Sequence, residues 1–193
     1  MKLKKPLSIE GKPLAELVFR SHTEARDYLA FDQAGGTAQR QALVASITGL
    51  PLAVIQTMHG ADYQAAARHC DAMIDADEAA IKAYLKELKE ADGSILATAE
   101  KRLKAPLQFG KLSVKELRFR DHTVAGDYLA FDLRGGTKKR IALVASIAGV
   151  DEAIVEKLHG LDYQIAIAHV DAMIEEDEKS VFADLPQQDA VKK

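Results

Sequence analysis

At 193 residues, 48% hydrophobic and with a net charge of −3, the chain has the composition of a soluble protein large enough to bury a core. So small a charge creates no field that would hold nucleic acid or an anionic membrane, and no apolar run is long enough to span a bilayer. One cysteine, Cys70, leaves no intrachain disulfide, and Met1 to Leu7 lacks the apolar segment of a signal peptide, so a cytoplasmic protein is expected.

Leu3 to Ile9 alternates as a strand does, Glu10-Gly11-Lys12-Pro13 is a turn, and Leu14 to Arg20 returns, which predicts a β-hairpin. Thr23 is placed to cap a helix running to Ala34, with Ala25, Tyr28, Leu29 and Phe31 apolar, before Gly35-Gly36 stops it. Thr37 is poised to cap a second helix through Thr48, in which Ala42, Leu43, Ala45, Ser46 and Ile47 leave little polar face; burial is expected. Gly49-Leu50-Pro51 leads to a short helix, Leu52 to Met58, closed by His59-Gly60. Asp62 then caps a long helix reaching Glu90, in which Ala66, Cys70, Met73, Ile74, Ile81, Tyr84, Leu85 and Leu88 recur at spacings of three and four.

Everything from Leu3 to beyond Glu78 recurs a hundred positions later without a gap, with roughly half of the paired positions identical. Asp27 to Asp32, Gly35 to Thr37 and Ala42 to Ile47 repeat in full at 127–132, 135–137 and 142–147. The second unit should therefore place strands near 103–109 and 113–120 and helices near 123–134, 137–148, 151–158 and 162–183. The expected class is α+β and predominantly helical: two tandem copies of a β-hairpin followed by about four helices. Residues 1–90 form the first unit, 91–100 a linker broken at Asp92-Gly93-Ser94, 101–183 the second unit, and 184–193 a polar tail. The repeat is compatible with two similar domains or with one pseudo-symmetric body.

Signals for chemistry are sparse. The histidines pair across the copies as His22/His122, His59/His159 and His69/His169, at spacings that match no metal motif, so structural roles are expected and no metal. Cys70 stands opposite Val170, as a small buried apolar group would. Gly35-Gly36-Thr37 and Gly135-Gly136-Thr137-Lys138 lack the preceding strand and the lysine placement of a phosphate loop; a helix stop joined to the next helix start accounts for them. Ala45, Gly49 and Ile55, repeated as Ala145, Gly149 and Val155, have helix-turn-helix spacing, but Leu50 to Met58 offers no Lys or Arg and Val150 to Leu158 is acidic. A packing unit is the better reading, with a DNA-binding regulator as a weaker alternative. Asp27 and Asp32 diverge on a helix and make no carboxylate pair; Arg20 with Asp27, or Arg40 with Asp32, reads as an ion pair, and no nucleophile arrangement suggests an enzyme.

The ordered elements Glu16-Leu17-x-Phe19-Arg20, Asp27-x-Leu29-Ala30-x-Asp32, Gly35-Gly36, Ala42-Leu43-Val44-Ala45-x-Ile47-x-Gly49 and Asp62-Tyr63 resemble the tail assembly chaperones of Mu-type contractile-tailed bacteriophages. Both copies carry them, so the chain looks like a tandem duplication of the family unit. The resemblance implies a non-catalytic protein in the bacterial host cytoplasm, without cofactor, that binds the tape measure protein and keeps it soluble until the tail tube polymerises around it. Tail tube protein is a further partner it implies, nucleic acid and membrane are not, and self-association stays open. A structural component of the tail is the alternative role. The stripe Ile81, Tyr84, Leu85 and Leu88, with Val181, Phe182 and Leu185, lies past the block that fills each core; it is the candidate partner-binding surface, with packing of the two units together as the alternative.

Overall fold

The computed structural model describes residues 1–97, 100–109 and 112–184. Each half is an antiparallel hairpin followed by helices, so the α+β, predominantly helical class holds. In the first half β1 (Lys2–Ile9) pairs with β2 (Lys12–Glu16) around Glu10 and Gly11, with Leu7 opposite Leu14 and Ile9 opposite Lys12. The register slips between Lys2 and Leu7, where Pro6 has no N–H to give the ladder. The Lys4 and Lys5 N–H groups turn instead to the Asp62 carboxylate, 3.0 and 3.2 Å away. That bond ties the hairpin to the long helix.

Next comes a 3-10 turn, Ala25–Asp32, in place of the α-helix expected from Thr23 to Ala34. Buried Asp27 explains the difference: its carboxylate accepts from the Glu24 N–H at 2.7 Å, from Arg20 through both oxygens at 2.7 Å and from Ser46 Oγ at 2.5 Å. Those tertiary bonds favour a tighter, shorter coil than an α-helix would give. Thr23 does not cap it; its hydroxyl donates to Asp77, which also accepts from the Tyr28 hydroxyl at 2.8 Å.

Helix α1 (Gly36–Thr48) begins one residue before the predicted cap, α2 (Leu52–Gln56) ends two residues early, and α3 spans Gly60–Glu90. His59, rather than Asp62, precedes the first turn of α3, because Asp62 is engaged by the hairpin. The second half repeats the order: β3 (Glu100–Phe109), β4 (Leu112–Arg118), a 3-10 turn at Asp127–Asp132, α4 (Gly136–Ala148), α5 (Glu152–Val155) and α6 (Gly160–Asp184). Its hairpin slips at the matching place, between Arg102 and Leu107, and Asp162 receives the Lys104 N–H at 2.8 Å. Of the expected polar tail, Asp184 is helical and 185–193 lie outside the described residues.

Leu3, Leu7 and Leu17 of the first hairpin, Leu43, Val44 and Ile47 of α1, Ile55 of α2, and Ala66, Cys70 and Ile74 of α3 are buried together with Leu117, Val144, Val155, Tyr163 and Val170 of the second half. The two halves thus share a single cluster of buried side chains. Each fully buried aliphatic residue is worth roughly 1.5–3 kcal/mol against at most about 1 kcal/mol for an exposed ion pair, so this core holds the fold. α1 is less buried than expected, with Ala42, Ala45 and Ser46 only half-covered; α6 runs between the halves and is covered on more sides.

Candidate functional site: a repeated contact surface

The halves meet through an asymmetric joint. From the second half, the start of α4 and the corner between α5 and α6 dock on the Ala25–Asp32 turn of the first, while α6 packs along α3. The Asp32 carboxylate accepts from the Thr137 N–H at 2.9 Å and the Lys138 N–H at 3.0 Å, and Thr137 Oγ1 donates to the Tyr28 carbonyl at 2.9 Å. The anion that the Gly-Gly-Thr helix start can hold is therefore a side chain of this same chain, set where the helix dipole favours negative charge. Gly135, with φ +87°, lies so close to that carboxylate that a Cβ would collide with it.

At the corner, Glu24 and His159 form an antiparallel bridge. The Ala25 and Arg26 N–H groups donate to the Leu158 and Glu156 carbonyls, and the Gly160 N–H to the Thr23 carbonyl, each at 2.9 Å. Gly160 presses on Thr23 and Asp77 closely enough that no larger residue fits. The His22 and His159 rings stack with centroids 5.0 Å apart, and Tyr28 meets Tyr163 at 5.5 Å. Burial, with Lys104 and His22 nearby, holds the His159 imidazole below its ordinary value. Burial likewise pushes the Tyr28 and Tyr163 hydroxyls upward, so both stay protonated.

In the second half the corresponding face is open. Tyr28 is 7% exposed and Tyr128 39%; Val124 is 41% and Leu129 69% exposed. Asp132, counterpart of Asp32, is exposed, and the N–H groups of Ala125 and Gly126 donate to no described residue. The first half is open at the opposite end: Gly36, Thr37, Gly60 and Ala61 are exposed, and a Cβ on Gly60 would meet open space. Phe31 and Phe131 are exposed in both halves.

Of the predicted partner-binding stripe, Ile81, Tyr84 and Leu88 are half-buried and Leu85 is exposed. Lys101 Nζ sits 4.8 Å from the Tyr84 ring centre, and the turn at Gly93 touches the Leu88 side chain, so the chain's own connection covers part of that stripe. Val181 and Phe182 lie on α6 with side chains outside the described residues, and Leu185 lies outside them altogether.

Other sequence features resolve into architecture. Arg20 pairs with Asp27, and Arg120 with Asp127. Burial raises the Asp127 carboxyl, but bonds from Ser146, the Val124 N–H and Arg120 outweigh it and hold the group below the usual carboxylate range. Arg40 reaches Asp71, at 3.2 Å, in place of Asp32. Cys70 is free and fully buried, its thiol pushed up to about 12 by burial, with Asp27 and Asp71 acting in the same direction. His69 and His169 lie against Phe19 and Phe119, and His169 Nδ1 bonds the Ile95 carbonyl of the connection at 2.9 Å. α5 is a single turn ending in the corner that docks on the first half, a poor reading helix for a DNA groove. Asp77 and the Asp32–Thr137 bond escaped the sequence reading; the repeated acid at 77 and 177, three residues past an apolar stripe position, is the signal that marks a buried acceptor.

The contact elements of this body are backbone edges, apolar side chains and a helix start. Residues 1–75 match the family model described as "Phage tail assembly chaperone proteins, E, or 41 or 14". Over those residues the chain is thus similar to phage tail assembly chaperones. No curated protein and no solved structure matches the chain significantly. Among the described residues no helix is long and apolar enough to cross a membrane.

Proposed function

We propose that the chain is a tandem tail assembly chaperone of a Mu-type contractile-tailed phage or prophage, with units at 1–90 and 101–183 joined by 91–100. It acts in the host cytoplasm, holding the tape measure protein in soluble form until the tail tube polymerises around that protein. The family match over 1–75 carries this reading, and the second half, with the same elements in the same order, extends it. A long helical client awaiting its tube exposes apolar stripes that would otherwise self-associate. The surface offered to it is the end of α3, where from Glu78 to Glu90 no residue is fully buried and Leu85 stands exposed. Ile81, Tyr84 and Leu88 flank Leu85, and Val181, Phe182 and Leu185 are the second unit's counterpart, an apolar face suited to an amphipathic helix.

Co-expression with tape measure fragments tests it. The expected result is a soluble complex that Leu85→Lys weakens roughly tenfold, as loss of one buried apolar anchor would, with the protein absent from finished particles by mass spectrometry. Recovery in stoichiometric amounts from purified particles would instead make it a structural tail component.

A further inference from the structure

We infer that the open ends of the joint bind each other between molecules: the Val124, Tyr128, Leu129 and Asp132 face of one chain receives the α1 start and the α2–α3 corner of a second copy. Inside the chain that contact already exists once, between the Ala25–Asp32 turn and the second half. It is heterologous, one patch meeting a different patch, so forming it leaves both patches unsatisfied at the two ends of the molecule.

The side chains that make the joint's hydrogen bonds, ring contacts and close glycine contact are repeated at the open ends, while Glu24, replaced by Val124, enters the bridge to His159 through its backbone. On the receiving side His22, Thr23, Tyr28, Asp32 and Asp77 recur as His122, Thr123, Tyr128, Asp132 and Asp177. On the docking side Thr137, His159, Gly160 and Tyr163 recur as Thr37, His59, Gly60 and Tyr63. The remaining bonds use backbone: the Lys138 N–H is matched by that of Ala38, and the Ala25 and Arg26 N–H groups by those of Ala125 and Gly126, so the side-chain differences at these positions do not matter. Roughly half of all paired positions differ, yet none of these contacting side chains does. The receiving face is also prepared: Thr123 and Tyr128 already donate to Asp177 as Thr23 and Tyr28 do to Asp77. The connection borders this face at His169, through Ile95, and leaves Val124, Tyr128 and Leu129 exposed. Repetition of such a contact builds a ring if its rotation closes and a filament if it does not.

Sedimentation velocity on the full chain, from about 10 μM to about 1 mM, covers the range in which an untethered copy of a tethered joint closes. Wild-type mass should at least double across it. Gly60→Gln fills the space that Gly160 leaves for Thr23 and Asp77, and Asp132→Arg sets a cation against a helix start; both positions are exposed, so each variant should keep the wild-type circular dichroism and remain monomeric. Mixed one to one, the two variants should give a dimer and nothing larger, because each retains the end that the other lacks. A wild-type chain that stays monomeric throughout, association that survives both substitutions, or a mixture that fails to pair would each overturn the inference.

Discussion

The segment Asp-Tyr-Leu-Ala-Phe-Asp occurs twice with identical sequence and a 3-10 backbone, yet its Tyr and Leu are covered at 27–32 and open to solvent at 127–132. Within those six residues nothing separates the copies. In the first, Tyr28 and Leu29 lie under the second half; in the second, Tyr128 and Leu129 face solvent. A repeat sequence specifies which contacts a unit is able to make, and the order of units along the chain decides which of them are filled. Asp62 and Asp162 show the same effect in charge. Bonds from the Lys4 and Lys5 N–H groups hold the first carboxyl low, whereas at the second, also closed to solvent, burial outweighs the Lys104 and Ala105 N–H bonds and raises it above its ordinary value.

The comparison breaks most sharply at the buried acid shared by both halves. Asp27→Ala leaves Arg20, whose side chain is only 18% exposed, with Glu24 as its one remaining carboxylate and takes the acceptor from the Glu24 N–H and Ser46 Oγ, and it should cost about 3 kcal/mol in urea unfolding. Asp127→Ala should cost clearly less, since Arg120 is 34% exposed and water can take the vacated place. Equal losses would show that the halves do not differ in the way their burial indicates. A smaller effect reports on the joint itself. Asp32→Ala removes the acceptor at the α4 start and should lower stability by about 1 kcal/mol, as loss of a helix cap does, while Asp132→Ala at low protein concentration should change it by less than about 0.5 kcal/mol.

The finest test uses pH. Asp62, held low in the fold, contributes stability above the unfolded carboxylate range that is lost as pH falls through its folded value; Asp162, held high, takes up its proton earlier in the fold than in the unfolded chain, so acid favours folding there. In melting curves between pH 6 and pH 3, Asp62→Asn should therefore flatten the acid decline and Asp162→Asn should steepen it. Changes of the same sign would refute the opposite environments of the two copies.

The hairpins, α1, α4 and the two long final helices were legible because each depends on local pattern: alternation up to a Gly turn, or apolar residues every three or four positions between breakers. Three features were not. Ala25–Asp32 has the composition of an α-helix, and only Arg20 and Ser46, brought from other elements, make Asp27 draw it into a 3-10 turn. Asp62 sits where a helix cap belongs, but the slip at Pro6 offers it N–H groups from a strand far away in sequence. Asp32 and Thr137 bond across a hundred residues, a distance over which no periodicity speaks. The stripe on α3 is apolar by composition alone, and only the fold brings Gly93 and Lys101 back onto Leu88 and Tyr84.

The short connection after α3, pinned by the Gly93 N–H to the Leu88 carbonyl at 3.0 Å and by Ile95 to His169, has an energetic corollary. A leash of this kind presents one half to the other at millimolar effective concentration, so the seam inside the molecule can be shut while its surfaces are only weakly adhesive. Weak adhesion is what the proposed hold-and-release role requires: whatever such surfaces grip without a leash, a stronger competitor can peel away.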